Sequence, residues 1–203
     1  MVRWQLPYIS IAFAGLAAVL SLPVGCTTPP PAPPPQPLIG GQEVSEILKR
    51  AEAGNPDAQN QLGVFYSEGR GVPQNYLEAK DWFKKAADQG HSDAQVNLGT
   101  LYSLGQGATF SDQMALFWFQ KAAEQRNALA FAKLGMMYER GRGVSQSLIE
   151  AHMWYNLSAA YGERRAAESR NAVATRMTSA QITEAEERAK KWNPKQRPSP
   201  QTP

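Results

Sequence analysis

Cysteine and histidine are almost missing from this chain: its 203 residues hold one of the first and two of the second. The lone Cys26 has no partner, so no internal disulfide can staple the fold. His91 and His152 lie far apart in sequence, and neither has the i, i+4 partner that a zinc-binding helix uses. Both are expected at ordinary turn and surface positions, and no catalytic residue, metal or cofactor is expected. Charge of one sign is scarce too, with 21 Lys and Arg against 18 Asp and Glu, a net +3. Basic residues never run longer than two, whereas nucleic-acid binding asks for a basic stripe along one face. A solvated surface of mixed charge is the reading, with no nucleic-acid partner.

Only one long apolar run is present, and it opens the chain. Met1 to Gln5 carries the single cation Arg3, Leu6 to Leu20 is largely apolar, and Ser21-Leu22-Pro23-Val24-Gly25 leads into Cys26. A basic start, an apolar middle and small residues at the end define an export signal, residues 1–25, which is no part of the fold. Placed after Val24-Gly25, Cys26 resembles the lipobox cysteine of bacterial lipoproteins, which takes a diacylglycerol thioether and becomes the new N-terminus. That resemblance implies lipid attachment at Cys26, although Pro23 stands where the pattern prefers Leu. The alternative is an uncleaved anchor, since Leu6 to Val24 approaches the ~20 residues that span a bilayer. Arg3 would then hold its start in the cytoplasm. Both readings export the remainder and tether it. Thr27 follows the cysteine in place of the Asp that resembles an inner-membrane retention signal, so the outer membrane, facing the periplasm, is the expected address. Residues 26–41 form a proline-rich linker, a semi-rigid spacer of ~3.1 Å per residue. A ligand for a proline-recognition domain is its sharper alternative. Residues 194–203, with four prolines, are expected to be a disordered tail.

Between these ends one string recurs three times at a spacing of 36 residues. Its first copy is Ala58, Leu62-Gly63, Tyr66, Gly69-Arg70-Gly71-Val72, Ala79, Trp82-Phe83 and Ala86-Ala87. The second runs from Ala94 through Leu98-Gly99, Tyr102, Gly105-Gln106-Gly107-Ala108, Ala115 and Trp118-Phe119 to Ala122-Ala123. The third runs from Ala130 through Leu134-Gly135, Tyr138, Gly141-Arg142-Gly143-Val144, Ala151 and Trp154-Tyr155 to Ser158-Ala159. A period of this length marks a stacked array. Asn55-Pro56 is an N-cap followed by proline at the first helical position. Ala58, Leu62, Phe65 and Tyr66 recur at helical spacing. Gly69 and Gly71 stop that helix, and Asn75 with Glu78 starts another. The same start grammar returns at Ser92 with Gln95 and at Ser147 with Glu150. No strand signal intervenes, so helix pairs repeat.

Size alternation implies close packing, with Ala58, Gly63, Ala79 and Ala86 facing the rings of Tyr66, Trp82 and Phe83. Trp82, Trp118 and Trp154 are read as core anchors, with an exposed aromatic binding ladder as the alternative. The Gly-x-Gly loops follow helices and lack the Lys-Ser/Thr of a phosphate cradle. Glu43 to Ala53 reads as a leading helix. Glu163 to Arg176 keeps Ala166 in register but loses the Leu-Gly-Tyr string, and Thr178 with Gln181 starts a last helix.

These residues carry a resemblance. Ala-x3-Leu-Gly-x2-Tyr-x2-Gly-x-Gly-Val followed by Ala-x2-Trp-Phe-x2-Ala-Ala resembles the Sel-one-like repeat, a relative of the tetratricopeptide repeat. The resemblance implies an all-α, right-handed superhelix of helix pairs over residues 42–193. Its repeats cover about 55–90, 91–126 and 127–162, with capping helices over 163–193. It implies a protein or peptide partner bound by the first helix of each pair. Leu62, Leu98, Leu134, Tyr66, Tyr102 and Tyr138 then belong to the core. The groove residues would be Asn60, Val64 and Ser67, then Val96, Thr100 and Ser103, then Ala132, Met136 and Glu139. This set is apolar and neutral, so a partner with an apolar or amphipathic segment is expected in preference to an acidic tail. The expected role is a membrane-tethered scaffold or adaptor of the bacterial cell envelope. Two alternatives stand beside it: a periplasmic regulator of a membrane sensor, and an envelope hydrolase of cell wall or β-lactams. Members of the family linked with β-lactams depend on cysteine pairs, which this chain lacks.

Overall fold

Each period is spent in the same way: a 13-residue helix, a glycine loop, a second 13-residue helix and a short turn. The computed structural model describes residues 41–193, and the leader, Cys26, the linker up to residue 40 and the tail 194–203 lie outside the described residues. Among the described residues there are nine helices and no strand. α1 (Gly41–Glu52) leads; α2 (Pro56–Glu68) and α3 (Tyr76–Asp88) form the first pair. α4 (Ser92–Leu104) with α5 (Asp112–Glu124), and α6 (Ala128–Arg140) with α7 (Leu148–Ala160), form the second and third. α8 (Arg164–Ala174) and α9 (Ser179–Lys191) close the array. No helix among the described residues is long and apolar enough to cross a membrane.

The capping residues do what their chemistry dictates. The side chains of Asn55 and Asn127 accept from the backbone N–H of Ala58 and Ala130, and Asn75, Ser111 and Ser147 cap the second helices. One start differs from the sequence expectation: α4 is capped by His91, not Ser92, with its Nδ1 accepting from Ala94 N–H at 3.2 Å. Nε2 then carries the proton and faces Asp57 at 3.1 Å, which ties two repeats together. The glycine loops are closed by one recurrent bond. The backbone N–H groups of Asn75, Ser111 and Ser147 donate to the carbonyls of Tyr66, Tyr102 and Tyr138 at 2.8, 3.0 and 3.0 Å. The tight turns use a glycine at positive φ at Gly90 and Gly162, but Arg126 takes that place with φ 63°, a left-handed residue costing roughly 1–2 kcal/mol.

Packing follows the size alternation. A Cβ on Gly63, Gly99 or Gly135 would come within 2.6, 2.8 or 2.7 Å of the ring of Phe83, Phe119 or Tyr155, so each second helix lies directly on its first. Leu62, Leu98 and Leu134 are fully buried, and Trp82, Trp118 and Trp154 are exposed by only 9, 9 and 3 %. Each tryptophan packs back into the preceding seam, Trp82 with Ile47 and Ala51 of α1, Trp118 with Phe83 and Ala87 of α3. They are core anchors, not a binding ladder. Tyr66, Tyr102 and Tyr138 are only partly buried, at the edges of these clusters.

The third repeat departs from the other two in a coordinated way. In the first, Gln59 donates to the Ala51 carbonyl at 3.0 Å and accepts from Gln89 at 2.7 Å. Gln95 and Gln125 repeat this arrangement one period on, at 3.2 and 2.9 Å. The equivalent positions in the third repeat are Phe131 and Tyr161, whose rings lie 5.5 Å apart. Two amides have become two aromatic rings, and onto them folds the C-terminal cap. Trp192 meets Phe131 edge-on at 5.1 Å and Trp154 at 6.0 Å, while Ala185 and Ala189 of α9 join the same cluster as Met153 and Leu157 of α7. Arg188 of α9 pairs with Glu150 of α7.

His152 sits under this cap. It is 3 % exposed, not at the surface as the sequence suggested, and its Nδ1 has no hydrogen-bond partner. Leu116 and Lys80 hold the same place in the two earlier repeats and are only half-buried, so the full burial of His152 comes from the cap and not from the repeat. Burial, reinforced by the positive charge of Arg170 on α8 and opposed by Glu186 on α9, pushes its pKa below the usual 6.5. The unfolded chain therefore takes up this proton more readily than the folded one. Stability is full above about pH 6.5 and falls as pH drops below it, levelling off beneath the folded pKa. Urea midpoints measured from pH 7.5 to pH 5 should decline in the wild type, and the part due to this residue should vanish in His152→Leu.

Candidate groove on the first helices

The first-helix face is built by register. On α2, Asn60, Val64 and Ser67 are half-buried; so are Thr100 and Ser103 on α4, and Ala132, Met136 and Glu139 on α6. Val96 is the exception. At 1 % exposure it packs with Phe131 and Leu134 in the seam between α4 and α6, and it offers nothing to a partner. The reason is chemical: an apolar side chain at this place is drawn into the seam, whereas Asn60 stays at its edge to bond across it.

That bond locates the seam. Asn97 Nδ2 donates to Asn60 Oδ1 at 3.0 Å, joining α2 to α4. Asn97 stands one period plus one residue from Asn60, so the facing pair in the next seam is Val96 with Lys133. Asn97 and Lys133 were missed because each helix, read alone, places them beside the row and not on it. The period itself held the signal. Lys133 is half-buried, and burial lowers its pKa from the usual lysine value. Among the described residues it has no hydrogen bond or ion pair.

Other polar groups of the row are already committed. Ser67, Thr100 and Ser103 turn their hydroxyls back to the carbonyls of Val64, Val96 and Thr100 at 2.9, 2.8 and 2.9 Å, a local bond that leaves mainly their apolar edges outward. The Glu139 carboxylate accepts from the Tyr155 hydroxyl at 2.9 Å and from Arg176 at 3.3 Å. Burial and then this carboxylate hold the Tyr155 hydroxyl far above its ordinary pKa, so it stays a proton donor. Glu139 is thus a structural tie between α6, α7 and the residues after α8.

A second tie crosses the loops. The side chains of Gln74 and Gln146 donate to the carbonyls of Ser67 and Glu139, but the second repeat has Phe110 at that place. Arg142 of the third repeat supplies the missing donor, to the Ser103 carbonyl at 2.8 Å, while pairing with Asp112 at 2.6 Å and lying over the Phe110 ring. Arg142 therefore ties the third repeat to the second along the groove. No cluster of His, Cys, Asp and Glu among the described residues is placed to hold a metal.

Stacked helix pairs with a half-open row on their first helices define a helical-repeat solenoid. The Sel1 repeat family model matches residues 56–91, 92–127 and 128–162, more than half of the chain, and the chain belongs to that family. Repeats of this family commonly mediate protein–protein interaction. Among solved structures, a Sel1 repeat protein from Oxalobacter formigenes is 34 % identical over 64 % of this chain and 59 % of its own, with a TM-score of 0.56. The protective antigen c5321 of uropathogenic Escherichia coli, which has an SLR fold, is 28 % identical over 72 % of this chain and 39 % of its own, also with a TM-score of 0.56. The chain thus spans less than two thirds of either relative. No curated protein matches it.

Proposed function

We propose that this is an exported, membrane-tethered adaptor of the bacterial cell envelope, whose first-helix groove binds an extended segment of another envelope protein. The groove carries the reading: apart from Val96 its row is half open on every repeat, while the Trp82-Phe83, Trp118-Phe119 and Trp154-Tyr155 pairs of the second helices are spent in the core and leave only the separate side chains Leu77, Met114 and Phe117 exposed there. Val64, Thr100 and Met136 lie at equivalent places along it, a slightly apolar track with one adaptable thioether. The leader and Cys26 support the tether, with lipid attachment and an outer-membrane address facing the periplasm. Several acyl chains, at ~0.8 kcal/mol per buried methylene, make such an anchor stable where a single chain would be marginal.

Photo-crosslinkers at Val64, Thr100 and Met136, compared in intact cells with others at Lys84, Gln120 and Asn156 on the second helices, test both parts. The same discrete protein should be captured from all three first-helix sites and from none of the others. On fractionation it should travel with the outer membrane, and Cys26→Ser should release it. Capture from the second helices alone would move the binding face.

A further inference from the structure

We propose that the groove takes a carboxylate, and that Lys133 receives it: the bound segment is an extended peptide bearing an acidic side chain or a free C-terminus. This rests on the first-helix groove being the binding face, and it narrows that reading to a chemical class. In the seam between α2 and α4, the two facing positions satisfy each other through the Asn97 to Asn60 bond. One period on, the facing positions are Val96 and Lys133, and an isopropyl group gives an ammonium nothing to donate to. The chain places a cation where its own fold supplies no acceptor.

Such a placement is costly, because a partly desolvated ammonium loses hydration without regaining it from a partner. Among the described residues the row's carboxylate and its amide oxygen are already engaged. Glu139 is held by Tyr155 and Arg176, and Asn60 by Asn97. A carboxylate arriving along the groove restores what Lys133 lacks, through a charge-assisted bond of about 2.7–2.9 Å. Met136, one turn further along α6, and Val64 on α2 offer apolar contact on the same track. An acid beside apolar residues is the complementary sequence. The neutral groove expected from the sequence omitted this cation, because the row was read at Val96 and Ala132 instead of at Asn97 and Lys133.

The test uses the full-length chain in detergent micelles and a random array of ten-residue peptides. Each peptide is presented with a free or an amidated C-terminus, and each acidic residue is also replaced by its amide. Bound peptides should be rich in carboxylates, and neutralising the carboxylate should weaken binding at least tenfold. Loss on amidation assigns the group to the chain terminus; loss on Glu→Gln assigns it to a side chain. Lys133→Met should erase this discrimination while leaving binding of the neutral analogues unchanged, and Lys133→Arg should restore it. Lys133→Gln serves if the Met variant melts early. Peptides that bind the groove with no preference for a carboxylate, or a preference that survives Lys133→Met, would overturn the carboxylate proposal and leave the groove standing. A chain that binds no peptide at all would overturn both.

Discussion

Replacing Phe131 with alanine lowers the stability of the array by about 3–5 kcal/mol, the cost of emptying a large, fully enclosed aromatic site. The side chain is wholly buried and touches the rings of Trp154, Tyr161 and Trp192 within 5.1 to 5.8 Å. Its loss removes the surface on which the C-terminal cap rests, so α9 should loosen before the rest of the chain unfolds. At roughly 2–4 °C per kcal/mol for a domain of this size, the melting temperature falls by about 6–20 °C. Urea titrations followed by tryptophan fluorescence and by circular dichroism check both statements. The fluorescence signal includes Trp154 and Trp192, so its transition should begin first. A midpoint within error of the wild type would show that the aromatic pair is not what seats the cap.

Gly107→Ala should cost about as much, for a backbone reason. Gly107 has φ +65°, and a Cβ built there would lie 2.1 Å from the Tyr76 carbonyl oxygen, in the first turn of α3. Left-handed strain of ~1–2 kcal/mol adds to an overpacking term of ~1–3 kcal/mol, about 2–5 kcal/mol together. The neighbouring repeats supply controls. Gly143 has a similar φ, but its nearest backbone atom is 2.9 Å away, so Gly143→Ala should cost less. Gly90 has open space around it and should lose only the conformational part. Urea midpoints ranked Gly107 below Gly143 below Gly90 are the expected result; equal losses would mean that the loop does not rest on the preceding helix.

Much of this was legible in the residues. The period, the caps at Asn55, Asn75, Ser147 and Thr178, the glycine stops and the buried tryptophans all arise from interactions within a helix or between the helices of one pair. Their spacing carries them. What escaped lies in the seams between neighbouring pairs. Whether Val96 points to a groove or into a seam depends on how α4 is rotated against α6, and a single helix does not encode that angle. His152 was misplaced for the same reason, since α9 folds back over α7 and buries a position that is only half-buried at the equivalent Lys80 and Leu116. The exchange of two glutamines for Phe131 and Tyr161 was visible as two departures from the repeat, but its meaning came from Trp192, far along the chain. Among the described residues Lys133 is a difference between copies whose facing position, Val96, offers it no acceptor.

Hydrogen exchange on the full-length chain, with and without the segment captured by crosslinking, tests the central claim most directly. Protection should rise on α2, α4 and α6 and stay unchanged on α3, α5 and α7. Protection gained on the second helices, with α4 and α6 unaffected, would contradict the groove.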